Sequence, residues 1–333
     1  MPFVRVKPDD LAAVTASVEL LNAAQRVDDP DGWPGVPELA ARQLEFGWDL
    51  EPDERYLYIP DGADAPVGVL DIALPLRDNL HLVWAEIAVH PDHRGLGHGH
   101  AIMDEVLRRA REAGRKTVWV GTAEDDATSR AFLQSYGFGY ASHDARRRQV
   151  LADVDQAEIE RLFSAAKVAA VDYELVRLPQ PVREDVLTQL VEVTAAINDA
   201  PMGDLTYEDE KFDLQRLKDM ETARDGRGDT MYRVAARHKE SGEIGGHTVV
   251  VWNSLRPTRA GQGDTAVARN HRGHKLGMLL KIEMMHWIAD EHPEVEIIET
   301  WNNADNRYMI DVNEAIGYRL SRVFDMYELT LED

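Results

Sequence analysis

Cysteine is absent from the 333-residue chain, which excludes disulfide frameworks, thiolate metal sites and a cysteine nucleophile. Basic residues are in short supply: 37 Lys and Arg stand against 60 Asp and Glu, a formal charge of −23. Such a field repels phosphate backbones and anionic lipid headgroups. It argues against nucleic acid and membrane as partners and favours an amine-bearing small molecule. Long apolar runs are lacking too. No stretch approaches the ~18 residues of a membrane span, and MPFVRVKPDD at the start lacks the apolar core of an export signal. The expected compartment is the cytoplasm.

What is present is an ordinary folding composition, 44% hydrophobic and 29% charged, in a chain long enough for two domains at about 150 residues each. A repeat divides it. His93-Arg94-Gly95 returns as His271-Arg272-Gly273, 178 residues later. A strand-like run precedes each triplet, Leu82 to Val89 and Gly263 to Ala268, with Glu86 and Asp264 each eight positions ahead of the Arg. A helix follows each triplet. The first is expected from Gly97 to Arg111, with Ile102, Met103, Val106, Leu107 and Ala110 on one face. The second, Leu276 to Asp290, is apolar all round and expected to lie deeper. Each copy continues through a short β-rich run (Lys116 to Gly121, Val295 to Trp301) and another helix to Gly137-Phe138 or Gly317-Tyr318. The periodicity of Asp155 to Ala170 predicts a linking helix. The expected division is therefore 1–154, a linker at 155–171, and 172–333.

In Arg94-Gly95-Leu96-Gly97-His98-Gly99, three glycines between a strand end and a helix start free backbone N–H groups to point at an anion, beside the positive end of the helix. The spacing is neither the dinucleotide nor the nucleotide-hydrolase pattern.

A strand ending Ala88-Val89-His90-Pro91, then Arg-x-x-Gly-x-Gly, a helix, and Gly-Phe about 40 residues on resembles the GNAT superfamily of acyl-CoA-dependent N-acyltransferases. The resemblance covers both halves. It implies an α/β (α+β) fold of two tandem GNAT domains, each a mixed, mostly antiparallel twisted sheet flanked by helices, with acetyl-CoA as cosubstrate and no metal. Carried over residue by residue, it implies that Ile87, Ala88 and Val89 hold the pantetheine arm, while Arg94, Gly95, Leu96, Gly97, His98 and Gly99 hold the pyrophosphate. In the second copy Arg272, Gly273 and Gly277 match the loop, but Lys275 replaces the middle glycine. Gln262-Gly263-Asp264-Thr265 and the run from Asn302 to Asn306 resemble the C-terminal half of actinobacterial tandem acetyltransferases related to mycothiol synthase. The resemblance gives Asn306 a part in holding the cofactor; Asp126 is its counterpart in the first copy. With its loop glycines intact, the first copy is the expected coenzyme A site.

Transfer to an amine needs a base, and usually an acid for the departing thiolate. Glu86 is the candidate base, and Asp264 has the matching claim in the second copy. The Tyr that the family uses as acid is replaced by Leu133 and Asn313, neither of which can donate a proton to sulfur; Tyr136, Tyr140 and water are the substitutes. His90, His93, His98 and His100 match no metal-ligand spacing. Trp33 and Trp48 in 28–53, and the stretch 198–213, are candidate acceptor walls or packing segments. The expected activity is direct acetyl transfer from acetyl-CoA to a primary amine of a soluble small molecule, by a monomer or homodimer. The alternatives are a non-catalytic acyl-CoA-binding scaffold and an enzyme using another acyl-CoA.

Overall fold

The computed structural model describes residues 2–332 and divides into two compact units. Of the described residues, the first contains those up to 141 with 206–208 and those from 326 on; the second contains 142–205 and 209–325. These units do not follow the repeat boundary expected at 154. The division by contacts falls within the strand that follows each Gly-aromatic pair, at 141/142 and 325/326.

In chain order the first copy runs β1 (Phe3–Val6), α1 (Leu11–Asp28), α2 (Pro37–Phe46), β2 (Glu54–Tyr58), β3 (Gly68–Ala73), β4 (Leu82–Val89), α3 (His98–Glu112), β5 (Thr117–Ala123) and α4 (Ala127–Ser135). β1 to β4 are antiparallel neighbours, and β4 lies parallel to β5. The alternation of β2 and β3 sorts the core into two faces. Tyr56, Tyr58, Leu70 and Ile72 pack on α3, and Leu57 and Val69 on Val14 and Val18 of α1. All five residues of the expected α3 face are buried.

The second copy begins after β6 (Gly139–Val150), which runs antiparallel to its β11. It comprises α5 (Gln156–Ala169), β7 (Tyr173–Leu178), α6 (Glu184–Ala195), α7 (Leu214–Arg227), β8 (Asp229–His238), β9 (Ile244–Asn253), β10 (Arg259–Val267), α8 (Leu276–Glu291), β11 (Ile297–Asn303), α9 (Arg307–Ala315) and β12 (Arg319–Thr330). The expected linking helix is α5, started by the Asp155 carboxylate, which accepts from the Ala157 and Glu158 amides. It is no free linker: Ile159, Phe163 and Ala166 share one core with α8. α8 buries ten of its sixteen residues, as its all-round apolarity predicts.

Both sheets open in the same place. β4 is in register with β5 only at Leu82/Thr117, Val83/Val118 and Trp84/Trp119, although both strands continue. β10 meets β11 only at Arg259/Ile297, Ala260/Ile298 and Gly261/Glu299. Beyond those pairs each parallel couple splays, leaving backbone N–H and C=O groups along the inner edges of the opening. In β10 a bulge between Gln262 and Thr265 accompanies the split.

Candidate active site

At the end of β4 a single 3₁₀ turn (Pro91–His93) leads into the glycine loop. Gly95 and Gly97 have φ of 75° and 87°, and a Cβ at either would meet nothing within 4 Å. Glycine is needed here for its left-handed backbone, not for space. Ile87, Ala88 and Val89 lie on the splayed part of β4, Leu96 at the exposed crest, and His98 and Gly99 in the first turn of α3. Arg94 is committed elsewhere: its Nε donates to the Val89 carbonyl at 3.0 Å, and both Nη groups donate to Asp28. The backbone amides of the loop are thus what it offers to an anion.

The second loop keeps this geometry. Arg272 Nε donates to the Val267 carbonyl at 3.1 Å, and Nη2 to Asp199, which also takes Arg269. Gly273 has φ 88°, and Lys275 itself adopts the left-handed conformation at φ 55°, ψ 27°. The expectation that this backbone position resists a side chain is met by strain rather than by a new loop; a left-handed L-residue costs ~1–2 kcal/mol.

The two candidate bases sit differently. Glu86 lies opposite Asp71 in the β3–β4 register. Asp71 is clasped by Arg55 through two bonds of 2.6 Å. Glu86 is exposed on β4; the protein crowded around its carboxyl first, then Asp71 and Asp53, push it up against the pull of Arg55. Asp53 is raised to about 6, by burial and then by Asp71. Asp264, half-buried in the bulge of β10, is raised by burial, while Arg224 and Arg233 pull it down.

A cavity of about 920 Å³ lies wholly in the second unit. Its walls join the splayed part of β10 from Gln262 to Val267, the loop residues Arg272, Gly273 and Lys275, Gly277 on α8, and β11 from Thr300 to Asn303. Asp144 of β6 closes one side. Ile197, Pro201, Met202 and Leu205 close another, the last three from the stretch 198–213. Three polar types thus converge: an unpaired strand edge, amides at a helix N-terminus, and the Asp264 carboxyl.

Asn306 is on the same wall, and its side chain caps α9, accepting from the Met309 amide at 3.2 Å; Asp126 caps α4 in the same way. Asn313 is fully buried and donates to Asn302 at 2.8 Å. Tyr136 is bound to Asp104 and His100, and burial with the Asp104 bond pushes its phenol to about 12. Asp144, Asp199 and Lys281, also on the cavity wall, were not singled out by the sequence reading. For Lys281 the available signal was a lone cation inside an apolar helix, four residues after Gly277.

Comparison with known proteins places this geometry in context. Residues 19–138 match the family described as "Acetyltransferase (GNAT) family". A mycothiol acetyltransferase of Streptomyces avermitilis is 28% identical over 325 residues, 97% of this chain and 92% of that protein. One from Streptomyces scabiei is 34% identical over 158 residues, 46% of this chain and 47% of its own length. One from Stackebrandtia nassauensis is 27% identical over 146 residues, 44% of this chain and 46% of its own. In these last two the match spans about half of the relative. Among solved structures, a tandem GNAT protein from the clavulanic acid biosynthesis pathway aligns over 99% of both chains, with a TM-score of 0.81 and 24% identity. A GCN5-related N-acetyltransferase from Sphaerobacter thermophilus covers 100% of this chain and 96% of that one, with a TM-score of 0.70 and 16% identity.

Proposed function

We propose, for a chain whose residues 19–138 match the GNAT acetyltransferase family and whose fold is that of a tandem GNAT protein, an enzyme that takes acetyl-CoA into the cavity of its second unit and passes the acetyl group to a primary amine of a soluble small molecule. The observation that carries this is the single cavity uniting the split between β10 and β11, the loop 272–277 and Asp264. The proposal moves the coenzyme A site from the first copy, where the intact glycines had placed it, to the second, whose loop keeps its shape despite Lys275. Pantetheine would pair with the free edge of β10, the pyrophosphate would meet the amides at the start of α8, and Asp264 would take the proton from the acceptor amine. A cavity of this size fits an extended ligand. With no cysteine in the chain, transfer is direct, amine to thioester.

Gly99 and Gly277 occupy the same position of the two loops, and neither has a positive φ. A tryptophan at either fills its loop without forcing the backbone, which a substitution at Gly97 would do. Calorimetric titration of acetyl-CoA into wild type, Gly99→Trp and Gly277→Trp is expected to show binding lost in Gly277→Trp and kept in Gly99→Trp. Loss only in Gly99→Trp would return the site to the first copy with Glu86 as base. No binding by wild type would leave a non-catalytic scaffold. Acetyl-CoA consumption with a panel of primary amines then identifies the acceptor, and malonyl- and succinyl-CoA test the acyl group.

A further inference from the structure

Lys281 is one of the ten buried residues of α8 and is 2% exposed. The repeat offset of 178 residues pairs it with Met103, a fully buried core residue of α3. The same helix position is therefore filled by a thioether in one unit and an amine in the other. The Lys281 amine lies 5.1 Å from the centre of the Tyr318 ring. Among the described residues no carboxylate offsets it, and burial alone presses its pKa down to about 7. An unpaired buried ammonium is costly, and a methionine there would not be. Lys281 is also on the cavity wall, one turn beyond Gly277 on the same face of α8.

The site as read so far lacks an acid for the departing sulfur. Asn313 stands where the family resemblance expects a tyrosine, and its Oδ1 is buried without a partner among the described residues; an amide has no proton to transfer. The other ionisable groups of the cavity wall are Asp144, Asp199, Asp264, His271, Arg272, Lys275 and Tyr308. Of these, His271 is engaged by the Tyr173 hydroxyl at 2.9 Å and faces Glu243, Asp199 is taken by Arg269 and Arg272, Lys275 is exposed in the loop, and Tyr308 is 64% exposed with its hydroxyl beside Gly277, at the pyrophosphate end of the cavity.

We propose that Lys281 is the proton donor to the coenzyme A sulfur in the second unit. This rests on reading that unit as the acetyl-CoA site. The acceptor nitrogen forms a bond to the thioester carbonyl carbon, the C–S bond breaks with its electron pair on sulfur, and Lys281 Nζ gives that sulfur a proton. The proton lost by the acceptor nitrogen goes to Asp264. Water at the cavity mouth returns a proton to Lys281 and removes one from Asp264. Acetyl-CoA and amine become coenzyme A thiol and amide.

The test uses the full chain with free coenzyme A, with desulfo-coenzyme A as the control, and reads the ultraviolet band of the thiolate against pH. Lys281→Met restores the residue of the first unit and is expected to fold. Lys281→Arg keeps a cation that does not give up its proton. Wild type and Lys281→Arg should lower the thiol pKa of bound coenzyme A by about one unit or more, and Lys281→Met should not. Both variants should keep acetyl-CoA KM within about threefold and lose about 100-fold in kcat, together with the alkaline fall of the pH profile. Coenzyme A bound with an unshifted thiol in wild type and full kcat in Lys281→Met would overturn the assignment to Lys281. So would binding of succinyl-CoA in preference to acetyl-CoA that disappears in Lys281→Met, since the amine would then serve an acyl carboxylate. Failure of wild type to bind coenzyme A, with Gly277→Trp no different, would instead overturn the underlying reading of the second unit.

Discussion

Arg94 clasps Asp28 with both terminal nitrogens, at 2.7 and 2.6 Å, while its Nε holds the Val89 carbonyl. The end of α1, the end of β4 and the start of the glycine loop are thus pinned by one guanidinium. Arg272 and Asp199 repeat the device, and Asp199 is held down to about 2 by Arg269 and then Arg272. The pairs are partly exposed, so their worth to stability is small, ~0–1 kcal/mol. Their effect is on loop geometry. Asp199→Ala should weaken acetyl-CoA binding about three- to tenfold with little change in melting temperature, whereas Asp28→Ala should leave it unchanged. Calorimetry and a thermal melt of each variant check both halves of this expectation.

Lys275 pays for its side chain with a left-handed backbone. Lys275→Gly removes a strain of ~1–2 kcal/mol but adds ~0.4–1 kcal/mol of unfolded-chain freedom. The difference is a net gain of about 0.5–1 kcal/mol, measurable as a higher urea midpoint at unchanged slope. The lost charge acts in the other direction on ligand binding. Acetyl-CoA affinity should fall and become less sensitive to salt, so the variant gains stability while losing affinity.

Much of this architecture is legible in the sequence because it repeats. The His-Arg-Gly triplets, the spacing to Gly137 and Gly317, and the α3 face of Ile102, Met103, Val106, Leu107 and Ala110 are local patterns, and each lies where it was expected. The pairing of β6 with β11 was not legible, since strand pairing depends on partners far along the chain. The preference for the first copy came from counting glycines. That count treats Lys275 as a defect, while the backbone absorbs it. Lys281 escaped notice because a lysine in a helix is normally read as solvent-facing, and only burial distinguishes it.

His247 on β9 lies between Ala235 and Ala266 and is 1% exposed. Neither ring nitrogen has a hydrogen-bond partner among the described residues. Burial, with Arg233 nearby, presses its pKa to about 3, against an ordinary 6.5. The unfolded chain therefore binds a proton that the native protein refuses between those values, and stability falls as pH drops below about 6.5, by ~1.4 kcal/mol for each unit traversed. His247→Leu removes both the unpaired nitrogens and this slope. Urea denaturation at pH 5 and pH 8 should show the variant gaining clearly more over wild type at pH 5 than at pH 8.

Asp264 offers the sharpest contrast between chemistry and stability. Burial raises its carboxyl above the ordinary 3.8, so the native state holds the proton more tightly than the unfolded chain does. Its protonated form is favoured by folding; that contribution is complete below the unfolded value and lost as pH rises through the folded one. Asp264→Asn, neutral at every pH, should be more stable than wild type at pH 8 and level with it at pH 4. If Asp264 takes the acceptor's proton, the same change should lower turnover of acetyl-CoA with the best amine about 100-fold or more, with KM for acetyl-CoA little altered. It should also abolish the acid limb of the pH profile. A variant that is stabilised at pH 8 yet keeps full turnover would show that the carboxyl serves neither the fold nor the transfer, and would leave the proton to solvent.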